Sequence, residues 1–303
     1  MQILVTGVGG QVGGALVPRL QNLGTVIPVD ADALDFARPQ GLADVLDRLA
    51  PDFIVNPAAY TAVDKAEDEP DMAMAVNATA PGILARWAAA RAVPLIHFST
   101  DYVFSGAGER PWREDDVPMP LSVYGASKLA GDNAIRAAGG CSLILRTSWV
   151  YAAQGKNFLR TIARLARERT ELRIVADQIG APTTAALLVD AVTAIVGEGV
   201  ERLRARCAQA QGLVHLTASG ETSWHGFAGA IVEGLRARGV TLAVEQIIPI
   251  RTDEYPTPAK RPRNSRLNLD RLHKVFGIVP VSWQGALAPE LDKLAQELAQ
   301  TGR

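Results

Sequence analysis

The feature that most restricts this chain is its opening: an apolar run from Ile3 to Thr6, the spacing Gly7-x-x-Gly10-x-x-Gly13, and an amphipathic stretch from Val12 to Leu23. A strand that turns through glycines into a helix lets backbone N–H groups and the helix N-terminus approach a pyrophosphate. The spacing therefore predicts a dinucleotide-binding βα unit, with Gly9 and Gly14 giving the turn further freedom. The same alternation continues downstream. Val26 to Val29, Phe53 to Asn56, Leu95 to Ser99 and Leu143 to Arg146 read as strands; Leu42 to Leu49, Met72 to Ala90 and Val123 to Ala137 read as helices. The strands lack a clean apolar–polar alternation, as expected when both faces are covered. Together these patterns predict an α/β chain built on a doubly wound parallel sheet of Rossmann type.

Beyond Trp149 the order loosens. Phe158 to Arg167 reads as helix, Arg173 to Ala176 as strand and Asp177 to Thr183 as loop. A helix from Ala185 to Val196 and a strand from Leu213 to Thr217 could each return to the first sheet. Then come a helix from Trp224 to Arg238, a strand from Gln246 to Ile250 and a proline-rich segment from Tyr255 to Pro262 that excludes regular structure. An amphipathic helix from Leu291 to Leu298 follows. The expected organisation is a dinucleotide-binding domain over 1–148 with a return at about 184–217, and a smaller C-terminal α/β substrate-binding domain from 149–183 and 218–303.

Composition removes several classes of function. With 48% hydrophobic and 21% charged residues, the chain is expected to fold as an ordinary soluble protein. A formal net charge of -1 without a basic run argues against nucleic acid or an anionic membrane surface as partner. No segment reaches the roughly 20 apolar residues of a membrane span, and the start lacks the regions of a signal peptide, so the expected location is the cytoplasm. Cys141 and Cys207 lack CxxC spacing and read as buried, inert thiols. His97 and His215 fall in core strands and His225 and His273 on separate helices; all four read as structural, and no metal site is expected.

Chemistry enters with the run Tyr124-Gly125-Ala126-Ser127-Lys128, whose ends share one helix face. A phenol has an ordinary pKa of about 10, and a nearby ammonium favours its ionised form, improving it as a proton donor and acceptor near neutral pH. The same ammonium can hold ribose hydroxyls. Thr100 stands just past the strand Leu95 to Ser99, at the carboxyl end where ligands collect, and can hydrogen-bond a substrate carbonyl. Thr100 and Asp101 are equally types that form turns, and both readings stand. Asp30 ends the second strand, where a carboxylate accepts from the adenosine ribose and repels a 2'-phosphate; it favours NADH over NADPH, while nearby Arg38 acts the other way. Asp35 and Phe36 could flank the adenine. Arg261 and Arg266 suit a diphosphate, or serve as solvated loop charges.

These motifs, with Asn56-Pro57-Ala58-Ala59-Tyr60-Thr61-Ala62-Val63-Asp64 and Ser99-Thr100-Asp101-Tyr102-Val103-Phe104, resemble the extended short-chain dehydrogenase/reductases. Later segments narrow the resemblance to the dTDP-4-dehydrorhamnose reductase subfamily, over nearly the whole chain. They are Arg146-Thr147-Ser148-Trp149-Val150-Tyr151, Asn157-Phe158, Asp177-Gln178-x-Gly180-Ala181-Pro182-Thr183 and Tyr255-Pro256-Thr257-Pro258-Ala259-x-Arg261-Pro262-x-Asn264-Ser265. The resemblance implies an oxidoreductase that uses NADPH or NADH to reduce the C4 ketone of dTDP-4-dehydro-L-rhamnose, giving dTDP-L-rhamnose for cell-surface polysaccharide. It implies Tyr124 as proton donor, Lys128 as ribose ligand and Thr100 as the group polarising the carbonyl. Gly10, Gln11 and Val12, in the loop framed by Gly7 and Gly13, would meet the pyrophosphate. Asp30, Asp35 and Phe36 would meet the adenosine half, and Ala59, Tyr60 and Thr61 the central portion of the cofactor. Asp101, Trp149, Asn157 and Arg261 would face the dTDP-sugar, with Trp149 alternatively packing between domains.

Some members of the resembled subfamily dimerise through Mg²⁺ held on glutamates. Here Ala15 and Ala186 stand at two of those positions and offer no oxygen ligand, so no metal and a monomer or metal-independent weak dimer are expected. Two other functions fit the same resemblance. One is a sugar-nucleotide epimerase or dehydratase of the extended family; the other is a non-catalytic dinucleotide-binding regulator resembling the methionine adenosyltransferase β subunit. Intact Thr100, Tyr124 and Lys128 argue against the regulator.

Overall fold

The apolar runs of the first half become parallel strands: β1 (Gln2–Val5), β2 (Thr25–Pro28), β3 (Phe53–Asn56), β4 (Leu95–Thr100) and β5 (Ser142–Thr147). In this computed structural model residues 1–301 are described; residues 302 and 303, the end of the expected 218–303 segment, lie outside the described residues. A sixth strand, Leu213–His215, joins the sheet beside β5, and the order runs Leu213–His215, β5, β4, β3, β1, β2. Every pairing in it is parallel. All residues of β3 and β4 are buried, which is why neither alternates in sequence. The chain leaves β1 toward β2 on one side and comes back to β3 on the other, so a crevice opens at the carboxyl ends of β1 and β3.

Helices cover both faces. On one, Leu16 and Leu20 of the first helix, α1 (Gln11–Leu20), share a core with Leu188 and Val192 of the Ala185–Gly197 helix. On the other, Leu46, Leu84, Trp87 and Ile135 pack from the helices Leu42–Leu49, Ala80–Ala90 and Val123–Ala138. The stretch expected as one helix from Met72 to Ala90 is broken: helix Pro70–Met74, a π-helical turn Ala75–Thr79, then helix Ala80–Ala90. Pro81 has no N–H to offer the Asn77 carbonyl, and the ladder widens there. A helix that the sequence reading missed, Val200–Gln209, precedes the sixth strand and buries only Leu203 and Cys207. Cys207 meets Cys141 there, both thiols free and buried.

A second layer follows Trp149. Glu171–Val175 pairs in parallel with Gln246–Ile250. The segment from Asp177 to Thr183, expected as loop, feeds two short ladders: Ile179–Gly180 against Thr222–Ser223, and Thr183–Thr184 against Val150–Tyr151. Leu159, Ile162, Phe227, Ile231, Leu287 and Leu291 form its core. The closing helix spans Trp283–Thr301, starting earlier than expected because buried Trp283 and Leu287 extend its apolar stripe. Among the described residues no helix is long and apolar enough to cross a membrane.

Candidate active site

The carboxyl ends of the central strands open on a cleft of about 1400 Å³ that runs from the glycine turn to the second layer. The backbone of that turn is tightly packed. Gly7 adopts φ +58°, and a Cβ there would stand 2.8 Å from the Ala58 Cα; a Cβ on Gly13 would stand 2.2 Å from the Gly7 carbonyl oxygen. Neither position accepts a side chain. Gly10 N–H closes the turn on the Gly7 carbonyl at 2.9 Å, and the first turn of α1 carries no acidic residue to compete for an anion. The residues therefore fit a dinucleotide pyrophosphate at this end.

Gly10, Gln11, Val12, Asp30, Asp35 and Phe36 all line the cleft. Their side chains are partly committed elsewhere. Gln11 Oε1 accepts from Asn157 Nδ2 at 2.8 Å, and Asn157 caps the Phe158–Glu168 helix by accepting from Arg160 N–H at 3.1 Å. The pair thus latches the glycine turn to the second layer. Asp30 Oδ1 accepts from the N–H groups of Asp32 and Ala33 at 3.1 and 3.2 Å, leaving Oδ2 for a ligand. Arg38 does not oppose Asp30; it pairs with Asp35 at 2.7 Å and, with the Ala37 N–H, holds that carboxyl below the usual range. Phe36 is buried in the core beneath.

Ala59 and Thr61 face the cleft, but Tyr60 does not line it. Asn77, fully buried in the π-helical turn, clasps the Tyr60 backbone from both sides: its Oδ1 accepts from Tyr60 N–H at 2.9 Å and its Nδ2 donates to Tyr60 O at 3.1 Å. The phenol is turned onto Glu69 Oε2 at 2.7 Å. Asn77 Nδ2 also reaches Ser127 Oγ at 3.0 Å, tying this loop to the helix that carries Tyr124 and Lys128.

That helix starts at Ser122, whose hydroxyl accepts from Gly125 N–H at 3.2 Å. Tyr124 and Lys128 both reach the cleft beside Thr100. Lys128 is 1% exposed. Its Nζ donates to the Phe98 carbonyl at 2.6 Å and lies 3.2 Å from His97 Nε2. Burial draws its pKa down to about 8, against the opposite pull of Asp132. The Tyr124 pKa is shifted upward on balance, opposite to the direction expected from the nearby Lys128. Desolvation pushes the phenol above its ordinary value; the Thr100 hydroxyl pulls it back in part, and Asp101 adds to the rise. With its pKa above the ordinary phenol value, Tyr124 stays protonated at neutral pH, the state a proton donor needs.

Thr100 forms the turn and also faces the cleft. Its hydroxyl accepts from Tyr102 N–H at 3.2 Å and donates to Asp101 Oδ1 at 3.1 Å, while it lines the cleft next to Tyr124. Asp101 is buried, which raises its pKa to about 6 despite hydrogen bonds from Ser265 and Thr100. Arg146 and Asp132 form a buried pair at 3.0 Å that fastens the Val123–Ala138 helix to β5.

At the far end Trp149 sits at φ +50°, rare for a side chain of its size, and stacks on Trp224 with ring centroids 3.6 Å apart. Both rings line the cleft, so packing and access to a ligand coexist. Trp224 Nε1 donates to Gln178 Oε1 at 3.2 Å. Arg261 lines the cleft while paired with Asp64 at 2.7 Å. Arg266 does not line the cleft: its guanidinium forks onto Glu221 at 2.6 Å and Asn264 at 3.2 Å. Ala15 and Ala186 line the cleft together with Glu290, whose carboxylate accepts from Ala153 N–H and from Lys293, each at 2.6 Å.

Three contributors escaped the sequence reading: Asn77, Trp224 and the His97 contact with Lys128. Faint signals existed. Asn77 is a lone amide in a helical run just ahead of Pro81, and Trp224 directly follows the capping Ser223.

The family model described as the RmlD substrate binding domain matches residues 1–296. A dTDP-4-dehydrorhamnose reductase of Burkholderia thailandensis is 48% identical over 291 residues, covering 95% of this chain and 97% of that protein. One from Escherichia coli K12 is 44% identical over 298 residues, with 97% and 98% covered. The crystal structure of such a reductase from Clostridium acetobutylicum gives a TM-score of 0.88 at 34% identity, covering 97% of this chain and 99% of that one. That of the Bacillus anthracis protein in complex with NADP gives 0.85 at 31% identity, covering 96% and 99%. With family model, relatives and solved structures in agreement along nearly its full length, the chain belongs to the dTDP-4-dehydrorhamnose reductase family.

Proposed function

We propose that this chain reduces the C4 ketone of dTDP-4-dehydro-L-rhamnose to dTDP-L-rhamnose, with Tyr124, Lys128 and Thr100 as its catalytic residues. When bound, NADPH or NADH supplies the hydride. The Gly7 to Gly13 turn and the α1 N-terminus receive the pyrophosphate, and Asp30 Oδ2 meets the adenosine ribose. Lys128 holds the nicotinamide ribose hydroxyls. The Thr100 and Tyr124 hydroxyls converge on the ketone oxygen: Thr100 turns its one proton from Asp101 Oδ1 to the bound ketone and polarises it, and Tyr124 protonates the nascent alkoxide. Trp149 and Trp224 flank the sugar, and Arg261 approaches the diphosphate. Asn157 acts mainly through its latch on Gln11.

The observation that carries this reading is the Thr100, Tyr124 and Lys128 cluster at the end of β4, in one cleft with the glycine turn. Residues 1–148 with 184–217 take the dinucleotide, and 149–183 with 218–303 the sugar nucleotide. With Ala15 and Ala186 lacking oxygen ligands, we expect a monomer or a metal-independent weak dimer in the cytoplasm, with no nucleic-acid partner. The test is direct: mix the purified chain with NADPH or NADH and the dTDP-4-keto sugar, and follow nicotinamide absorbance. Loss of absorbance with formation of dTDP-L-rhamnose is expected; no turnover with either cofactor would overturn the reading.

A further inference from the structure

A line of buried polar side chains crosses three strands and ends on Lys128. Thr6, just after β1, donates its hydroxyl to Asn56 Oδ1 at 2.6 Å. Asn56, at the end of β3, sets Nδ2 2.9 Å from His97 Nδ1; His97, in β4, sets Nε2 3.2 Å from Lys128 Nζ. None of the four is more than 1% exposed. Polar groups buried this deeply in a parallel sheet cost stability unless bonded, and neighbouring sheet positions hold Leu4, Ile54 and Ile96 instead.

The direction of the bonds depends on the charge of Lys128. With Asn56 Nδ2 donating to Nδ1, the imidazole proton sits on Nε2 and points at the lysine nitrogen, an order that suits the neutral amine with its lone pair. The ammonium needs the reverse: Nε2 accepting, the proton on Nδ1, and the Asn56 amide turned so that Oδ1 faces the ring and Nδ2 faces Thr6. The Thr6 hydroxyl, which already accepts from Ala58 N–H at 3.3 Å, has a second lone pair for that bond. His97 itself stays uncharged, through burial and the adjacent Lys128.

We propose that Thr6, Asn56 and His97 are positioning residues that fix the Lys128 nitrogen and reverse their hydrogen bonds with its charge, so that it keeps a partner as ammonium and as amine. This rests on the assignment of Lys128 to the cofactor ribose made above. The titratable and charged groups around Lys128 are His97 from β4, Tyr124 and Asp132 from its own helix, Arg146 from β5, which pairs with Asp132, and Asp101 beyond β4.

Two measurements test it. In wild-type protein labelled with ¹⁵N-histidine, the Nδ1 and Nε2 signals of His97, assigned by their loss in His97→Gln, should exchange character as pH rises through 8 while the ring stays neutral. Signals constant over that range, or a doubly protonated ring, would overturn the proposal. In steady-state kinetics, His97→Leu should move the alkaline limb of kcat/KM down by about half to one pH unit, the scale by which a buried hydrogen bond to an ammonium exceeds one to an amine. His97→Gln should restore it, and KM for the sugar should stay put. A folded His97→Leu enzyme with an unmoved limb refutes the idea, and if that variant does not fold the histidine spectra decide. Lys128→Met separates the two assignments: full activity in it would sink the ribose assignment itself, whatever His97 does.

Discussion

At the scale of single residues, the reaction depends on which protons are present at neutral pH. Tyr124 is protonated at neutral pH, and desolvation, outweighing the Thr100 hydrogen bond, moves its ionisation still further above that range. Tyr124→Phe is therefore expected to lower kcat about 10²- to 10⁴-fold while dinucleotide affinity, read by fluorescence titration, stays near wild type. Lys128 and Asp101 are the groups expected to set the pH window. The lysine pKa is drawn down to about 8, so its ammonium is intact below that pH and lost above it. The Asp101 pKa is raised to about 6, so its carboxyl is neutral below that pH and ionised above it. The profile of kcat/KM should accordingly be a bell with limbs near 6 and 8, and Asp101→Asn should remove the acid limb; a limb that persists would assign it to another group. The Tyr124 and Lys128 spacing was legible because one helical turn relates them. The direction of the Tyr124 shift was not, since it depends on burial.

At the scale of elements, the glycine turn leaves no room for side chains at its ends. A methyl group on Gly13 would stand 2.2 Å from the Gly7 carbonyl oxygen, closer than any relaxed contact, so the turn has to open. Gly13→Ala should weaken dinucleotide binding by at least about tenfold and destabilise the fold by about 1–3 kcal/mol, measured by titration and by thermal melting. Unchanged affinity would place the pyrophosphate elsewhere. The π-helical turn is the counterpart that periodicity concealed. Its apolar residues fit one long helix, yet Pro81 and the bonds from Asn77 to Tyr60 and Ser127 require a wider turn. Tyr60, expected by the resemblance to meet the cofactor, turns its phenol onto Glu69 and does not line the cleft, a placement set by a partner nine residues away.

For the whole molecule, the two layers are held against each other around the ligand site. Gln11 and Asn157 latch the glycine turn to the second layer, and Trp149 stacks on Trp224 at the opposite end of the cleft. No metal is called on for this. Size-exclusion chromatography with and without EDTA should give the same elution position, since Ala15 and Ala186 offer no ligand and Glu290 is engaged by Ala153 and Lys293. A dimer that EDTA dissociates would overturn that expectation.

The sequence by itself determined the βα alternation, the glycine turn, the Tyr124 and Lys128 pair and the family motifs, because each is a pattern within a few residues that periodicity and backbone sterics dictate. Tertiary structure alone decided the strand order, the Asn77 clasp, the stacking of Trp149 on Trp224, and the line from Thr6 through Asn56 and His97 to Lys128. Those depend on partners from separate strands and helices, and on the loss of water around them. Tertiary packing is what turns a histidine that reads as core into the neighbour of the lysine nitrogen, and burial is what raises the Tyr124 pKa where the nearby lysine was expected to lower it.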